Sequence, residues 1–209
     1  LTQRTLIRRF TQGSFENGGR LWNGFWQKVK KVRRRDALTI DGEEAVELDY
    51  GQAGPRILYG IAGVPVPEGD LYAIPGFHGY RDGVKRGFAA MMSADRRLVR
   101  TPKEIKARFG PGHTMAKFVA AVEAHHRPVA PLFFTGIGHR IQRIESDILV
   151  STLLALIDRG ITALPIHDAV MVPRSAASTA RDIMMETFLA VAEVEGAVSS
   201  HPPDLFSPP

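Results

Sequence analysis

Three stretches of the chain carry the hydrophobic pattern of β-strands. The alternating stretch 45–49 predicts one strand, and the mainly apolar stretch 161–166 predicts another. Residues 169–172 are again apolar and predict a strand that returns beside the second one. His167 and Asp168 therefore form the corner of a predicted hairpin.

Helical spacing of apolar residues dominates the rest of the chain. Thr101, Pro102 and Glu104 have the order of an N-cap, a first-turn proline and a capping glutamate, and Gly160 is placed as a helix stop. The predicted helices cover residues 80–92, 101–109, 114–125, 141–158 and 175–195. Because strands and helices mix without strict alternation, the pattern predicts an α+β fold, with helices on one side of an antiparallel sheet.

Composition narrows the class of protein. The 209 residues are 44% hydrophobic and 23% charged, which is typical of a globular chain with one core or two small lobes. No apolar run is long enough for a membrane span, so no membrane partner is expected. The absence of cysteine excludes disulfides and thiolate metal sites and fits a cytoplasmic location. Because the chain opens on Leu1 and not on methionine, we expect upstream domains of the same polypeptide.

Positive charge is concentrated at the start of the chain. The net charge is +5, and residues 1–35 hold ten Lys or Arg against a single acid, Glu16. The densest run, residues 28–35, suits a phosphate backbone, although a solvated surface would look the same. The interleaved aromatic residues Trp22, Phe25 and Trp26 could stack on bases, but we expect them to be core anchors.

Two aspartates follow apolar residues at predicted strand ends. Asp49 ends one strand, and Asp168 lies at the tip of the hairpin. Mg²⁺ prefers oxygen ligands and is commonly held by one or two carboxylates together with substrate phosphates. The pair therefore suits metal-assisted phosphoryl transfer, whereas each aspartate alone is ordinary turn chemistry.

The segment 48–56 resembles motif A of family A DNA polymerases, which are similar to DNA polymerase I. That motif reads Asp-Tyr-Ser-Gln-Ile-Glu-Leu-Arg, and Asp49, Tyr50, Gln52 and Arg56 match it in place.

Four further segments resemble motifs of the same family, in the family's order. Residues 166–170 resemble motif C, which is centred on His-Asp-Glu, and residues 81–85 resemble the Arg-x-x-x-Lys start of motif B. Residues 18–21 resemble the Thr-Gly-Arg-Leu segment that touches primer–template, and residues 142–148 resemble a helix with a glutamine beside the duplex.

The resemblance implies a catalytic site for nucleotide addition. Asp49 and Asp168 would bind two Mg²⁺ ions, for which Mn²⁺ could substitute, with help from the backbone carbonyl of Tyr50. Arg81 and Lys85, four residues apart on one helix face, would bind the triphosphate of an incoming nucleoside triphosphate. Lys85 would also act as general acid for the leaving pyrophosphate.

The remaining implied contacts concern the nucleic acid. Arg20, Gln142 and His167 would touch the primer–template, in its minor groove or at the primer end. Glu145 and Asp147 are interpreted as structural, with a salt bridge from Glu145 to a basic residue of the site as the alternative.

The chain departs from the family at the position that selects the sugar. Gly54 replaces the motif A glutamate that blocks the ribose 2′-OH. Single-subunit phage-type RNA polymerases have glycine there, and their motif B begins Arg-x-x-x-Lys-Arg, as residues 81–86 do. The nucleotide site of Tyr50, Gly54, Arg81 and Lys85 would therefore be open to ribonucleotides. Motif C has Ala169 in place of glutamate.

The resemblance also implies a division of the chain. Residues 1–44 would be a basic segment that contacts nucleic acid, residues 45–64 and 136–198 a palm, and residues 65–135 a reduced helical fingers subdomain. Residues 199–209 would be a disordered tail. The alternatives are a metal-dependent nuclease, which would not need a basic helix face, and a non-catalytic nucleic-acid-binding replication module.

Overall fold

The computed structural model describes residues 4–98, 100 and 102–201. The chain forms two compact units. The sheet unit comprises Leu1–Ala53 with Gln142–Pro209, and the helical unit comprises Gly54–Ile141. The predicted α+β class, an antiparallel sheet covered by helices, is confirmed.

The described elements follow in chain order. The strands are β1 (Ile7–Thr11), β2 (Ser14–Trp22), β3 (Thr39–Ile40), β4 (Glu43–Tyr50), β5 (Leu164–Ile166), β6 (Ala169–Pro173) and β7 (Val198–His201). The helices are α1 (Phe25–Lys28), α2 (Lys31–Ala37), α3 (Ala53–Ala62), α4 (Arg81–Ser93), α5 (Lys103–Lys106), α6 (Met115–His125), α7 (Gly138–Asp158) and α8 (Ala177–Ala192). Short 3₁₀ helices cover Arg127–Leu132 and Arg174–Ala176.

The main sheet has five antiparallel strands in the order β3-β4-β6-β5, with β7 on β4. Because side chains alternate along β4, Tyr50 faces one side, where its hydroxyl hydrogen-bonds Thr152 of α7 at 2.9 Å and donates to the Met184 carbonyl of α8 at 3.0 Å. Glu47 faces the other side, where α2 lies. Helices therefore cover both faces, not one as the sequence pattern predicted.

A second core lies on the face of Glu47. The buried side chains of Trp26, Ile40, Ala45, Ile166 and Met171 pack together there. The indole nitrogen of Trp26 donates to the Pro165 carbonyl at 2.8 Å, which satisfies its one polar atom. This cluster attaches α1 to the β5–β6 hairpin.

The N-terminal β1–β2 hairpin was not predicted. Its turn residues, Gln12 and Gly13, have φ of 53° and 64°, as the favoured two-residue hairpin turns require. Gln-Gly is a weak turn signal, and the run Glu16-Asn17-Gly18-Gly19 lacks β-branched residues, so β2 has no strand pattern. The basic segment 1–44 thus contains ordered elements that belong to the sheet unit.

The helical unit is packed around aromatic rings. Phe118 lies 5.2 Å from both Phe77 and Phe109, measured between ring centroids. Gly87 of α4 is in close contact with Phe118, since a Cβ at Gly87 would lie 2.4 Å from that ring. The predicted helices at 80–92 and 114–125 are confirmed. Of the helix predicted at 101–109, the described residues form Lys103–Lys106, and the predicted N-cap Thr101 lies outside the described residues.

The predicted disordered tail begins too early. Residues 199–201 belong to β7, which pairs with β4 from Glu47 to Tyr50. Residues 202–209 lie outside the described part of the chain. Within the described residues, no helix combines the length and the apolar character that crossing a membrane requires.

Candidate functional site

Sheet register brings the two predicted aspartates together. Asp49 of β4 lies directly opposite Ala169 of β6, and Asp168 is the residue before Ala169. Opposed Cα atoms in antiparallel strands are about 4.5–5.5 Å apart, so Asp49 and Asp168 are neighbours at one end of the sheet. His167 and Asp168 form the two-residue turn between β5 and β6, and His167 has φ of 57°. Both aspartates are half-buried.

A third carboxylate, Glu145 of α7, lies near Asp168. Burial raises the pKa of Glu145 to about 7, the charge of Arg20 lowers it, and the charge of Asp168 raises it further. The Glu145 side chain is 16% exposed and accepts a hydrogen bond from Arg20 at 3.4 Å. Glu145 therefore forms a salt bridge with Arg20, which is predicted to touch the primer–template.

The spacing between Gln142 and Glu145 is a sequence signal that could have identified Glu145. Glu145 follows Gln142 by three residues, and this spacing puts both on one face of a helix. Gln142 is itself half-buried near the start of α7.

A β-bulge positions Arg20. The pairing of β1 with β2 shifts register after Arg9, and Gly18 and Gly19 have φ of 81° and 89°. The Gly19 carbonyl accepts hydrogen bonds from Ser146 of α7 and, at 3.1 Å, from Arg8. The two glycines thus let the β2 backbone approach α7, which sets Arg20 beside Glu145.

Replacing Gly19 by alanine is expected to destabilise the protein by about 1–3 kcal/mol, the usual cost of a strained backbone conformation. The new Cβ would also lie 3.2 Å from Arg8 Nε and Ser146 Oγ. Chemical denaturation measures the loss. Gly13→Ala is the matched control, because Gly13 has φ of 64° in the same hairpin but open space around it. Equal losses in the two variants would show that the approach to α7 is not what requires glycine.

The aromatic residues near this site divide between core and surface. Trp26 is buried, as expected of an anchor, whereas Trp22 and Phe25 are 39% and 44% exposed. The Trp22 ring meets the His167 ring edge-on, with centroids 5.7 Å apart. The prediction that all three are core anchors is therefore wrong for Trp22 and Phe25, because both lie on the outer surface of the sheet unit.

Part of the basic run 28–35 is turned inward. Lys31 Nζ lies 3.1 Å from Glu47 Oε1, and Arg34 Nη2 lies 3.7 Å from Glu47 Oε2. Arg34 is buried and also donates to the Val29 carbonyl at 3.0 Å. Both cations compensate a buried carboxylate, but the Lys31 side chain stays 56% exposed. Only the buried Arg34 therefore contributes less to a phosphate-binding surface than the sequence suggested.

The residues predicted to hold the triphosphate lie on α4 of the helical unit. Arg81 begins α4, and its guanidinium binds both carboxylate oxygens of Asp70, at 2.7 and 3.2 Å. These hydrogen bonds hold the pKa of Asp70 below its usual value. Lys85, one turn later, is exposed. Arg86 lies 3.7 Å from Asp82.

Tyr50 and Gly54 occupy different surroundings. Burial raises the pKa of the Tyr50 phenol. Its hydroxyl forms hydrogen bonds in the core with residues of α7 and α8. The contribution predicted for its backbone carbonyl stays a prediction. Gly54 is half-buried in the first turn of α3.

The donor chemistry suits a hard divalent cation held in part by its substrate. Among the described residues, no group of three or more His, Asp or Glu side chains is arranged to hold a metal ion. Asp49 and Asp168 instead offer a pair of carboxylates, which is what Mg²⁺ usually takes from a protein in phosphoryl-transfer sites.

Comparison with known proteins gives similarity to solved structures but no match in sequence. No family model and no curated protein matches the sequence. The POL domain of Pol1 from M. smegmatis, solved in complex with a DNA primer–template and dNTP, matches with a TM-score of 0.46 and 16% identity. The match covers 96% of this chain and 48% of that one, so this chain spans about half the length of the solved polymerase chain. A similarity of this size says nothing about activity.

Proposed function

We propose that the chain catalyses template-directed nucleotidyl transfer, with Asp49 and Asp168 as its metal-binding carboxylates. The observation that carries the proposal is the β4–β6 register, which makes these two aspartates neighbours at one end of the sheet. The ordered resemblance to family A polymerase motifs, from residue 18 to residue 170, supports nucleotide addition over hydrolysis.

The metal site would take two Mg²⁺ ions, with Mn²⁺ as a substitute. Such ions supply charge stabilisation to the attacking and leaving oxygens of an in-line displacement. Asp49 and Asp168 would hold them through carboxylate oxygens, and the Tyr50 carbonyl would add a ligand. The site's own contribution is a pair of negative charges, one near the end of β4 and one in the β5–β6 turn.

The other assignments follow the polymerase resemblance. Arg81 and Lys85 bind the triphosphate, and Lys85 protonates the leaving pyrophosphate. Arg20, Gln142 and His167 contact the primer–template. In this proposal residues 45–64 and 136–198 act as a palm, residues 65–135 as reduced fingers, and the protein works in the cytoplasm.

A primer-extension assay tests the proposal. The purified chain receives a labelled primer–template, Mg²⁺ or Mn²⁺, and either dNTPs or NTPs. Extension is the expected result. Shortening of the primer without extension would favour a metal-dependent nuclease, and binding without either reaction would favour a non-catalytic module. The same reactions test Gly54: strict use of dNTPs would mean that another residue selects the sugar.

Arg81→Ala and Lys85→Ala are each expected to raise the KM for the nucleotide about tenfold. A hydrogen bond to a charged group contributes about 1.5–3 kcal/mol, and tenfold corresponds to about 1.4 kcal/mol. Steady-state extension kinetics measure the change. Arg97→Ala is the control, since Arg97 is 62% exposed in the same unit and is also bound by a carboxylate, that of Glu123 at 2.7 Å. An unchanged KM in both variants would remove α4 from nucleotide binding.

A further inference from the structure

The outer face of the β1–β2 hairpin sets two arginines directly opposite each other. The strand register pairs Arg9 with Arg20 and Ile7 with Trp22, so these four side chains share one face. Arg9 is exposed, and the Arg20 side chain is 37% exposed. We define these four residues as the outer hairpin face.

Next to the inner face of the same hairpin, Asp147 of α7 binds two arginines. Arg8 Nη2 lies 2.5 Å from Asp147 Oδ1, and Arg143 Nε lies 3.0 Å from Asp147 Oδ2. The guanidinium groups of Arg8 and Arg143 also lie 5.2 and 5.4 Å from the centroid of the Phe10 ring. Arg8 and Arg143 thus attach the hairpin to α7 through Asp147 and Phe10.

The two arginines of the outer hairpin face are not both held in this way. Glu145 lies 3.4 Å from Arg20, but within the described part of the chain Arg9 has no acidic partner. Like charges directly opposite each other on neighbouring strands are destabilising. An anion bound between Arg9 and Arg20 would offset this repulsion.

We propose that Arg9 and Arg20 together bind the phosphodiester backbone of a nucleic-acid strand, and that Arg9 is a phosphate-binding residue of this site. Arginine suits this task because its planar guanidinium can donate two parallel hydrogen bonds to the oxygens of one phosphate. With Cβ atoms about 5 Å apart, the two side chains flank one phosphate or bind two in succession. This inference rests on the proposed function and adds a residue to its nucleic-acid surface.

The neighbours of the outer hairpin face indicate where the bound strand leads. Trp22 lies on this face, and its ring contacts that of His167 at 5.7 Å. His167 and Asp168 are the two residues of the β5–β6 turn. A backbone held by Arg9 and Arg20 therefore passes beside the turn that carries Asp168.

Binding of a fluorescein-labelled DNA primer–template, followed by anisotropy across a salt series, tests the inference. Arg9→Ala is expected to weaken binding about tenfold and to reduce the slope of log K against log salt by about 0.9, the loss of one phosphate contact. Arg9→Lys should keep the slope and lose part of the affinity. Thermal stability of Arg9→Ala should equal or exceed that of the native chain, because the repulsion is removed.

Arg159→Ala is the matched control, since Arg159 is an exposed arginine of the same unit at the far end of α7. The inference is overturned if Arg9→Ala and Arg159→Ala bind alike, or if the native chain does not bind the duplex at low salt. Extension is scored separately on the same samples. Arg9-dependent binding without extension removes the proposed function and keeps this inference. Extension that does not change in Arg9→Ala keeps the proposed function and removes this inference.

Discussion

Asp49→Asn and Asp168→Asn are each expected to lower the rate of nucleotide addition at least about 10³-fold. Asparagine keeps the size and hydrogen-bonding shape of aspartate but removes the negative charge that a divalent cation requires. Loss of a metal that supplies several kcal/mol of transition-state stabilisation gives an effect of this order, since 1.36 kcal/mol is tenfold in rate. Single-turnover extension in Mg²⁺ and in Mn²⁺ measures it.

The two variants should remain folded and should still bind primer–template. Asp49 and Asp168 lie at strand ends and are half-buried, so neither substitution removes core packing. Asp158→Asn is the control, because Asp158 is an exposed aspartate at the end of α7. If either variant extends primers at the native rate, the two aspartates do not hold the catalytic metals.

The buried His126 is expected to make the helical unit sensitive to acid. Its ring is fully buried, Nδ1 lies 2.8 Å from the Tyr59 hydroxyl, and Nε2 lies 2.9 Å from the Leu71 carbonyl. A carbonyl only accepts, so Nε2 carries the proton, and the Tyr59 hydroxyl donates to Nδ1. A second proton on the ring would remove the Nδ1 acceptor that the Tyr59 hydroxyl uses and would place a positive charge in the core.

The sign of the pH effect follows from these contacts. Burial lowers the pKa of His126 from 6.5 to about 4, the hydrogen bond to Leu71 opposes this shift, and His125 adds to it. Between these pH values the unfolded chain binds a proton that the folded chain does not. The stabilisation is therefore complete above pH 6.5 and is lost as the pH falls toward 4, by about 3 kcal/mol in total.

Comparison with a variant isolates the contribution of His126. Glu145 acts in the opposite direction, since its folded pKa of about 7 lies above the ordinary value of 4.5. We therefore compare the native chain with His126→Gln, which keeps a donor but does not titrate. The free energy of unfolding that this substitution costs should be about 3 kcal/mol larger at pH 7.5 than at pH 4. A cost that does not change with pH would contradict the proton assignment.

Local sequence patterns predicted much of the fold. The alternating residues of β4, the apolar stretches around the His167-Asp168 corner and the helix α7 all have strong periodicity, and the structure confirms these elements. Thr114 also caps α6 as its side chain suggests, accepting from the Lys117 backbone at 3.3 Å. These features depend on interactions between residues close together in the chain.

Partners that are distant in the chain were not predictable in the same way. Arg34 looked like part of a solvated basic run, but it is buried beside Glu47, because β4 places a carboxylate under α2. The β1–β2 hairpin depends on a glycine bulge held by α7, more than a hundred residues away in the chain. No local sequence pattern predicts contacts between residues so far apart in the chain.

From the sequence alone come the places of Asp49 and Asp168 at the ends of predicted strands and the resemblance of the segments around Arg20, Arg81 and Lys85 to polymerase motifs. Hydrophobic periodicity and motif order are properties of the chain alone. Tertiary structure decided that Asp49 and Asp168 are neighbours and that Glu145 binds Arg20. It also decided that Arg9 faces Arg20 and has no acidic partner among the described residues. The physical reason is that strand register and helix packing choose the partner of each charge, and these depend on the whole fold.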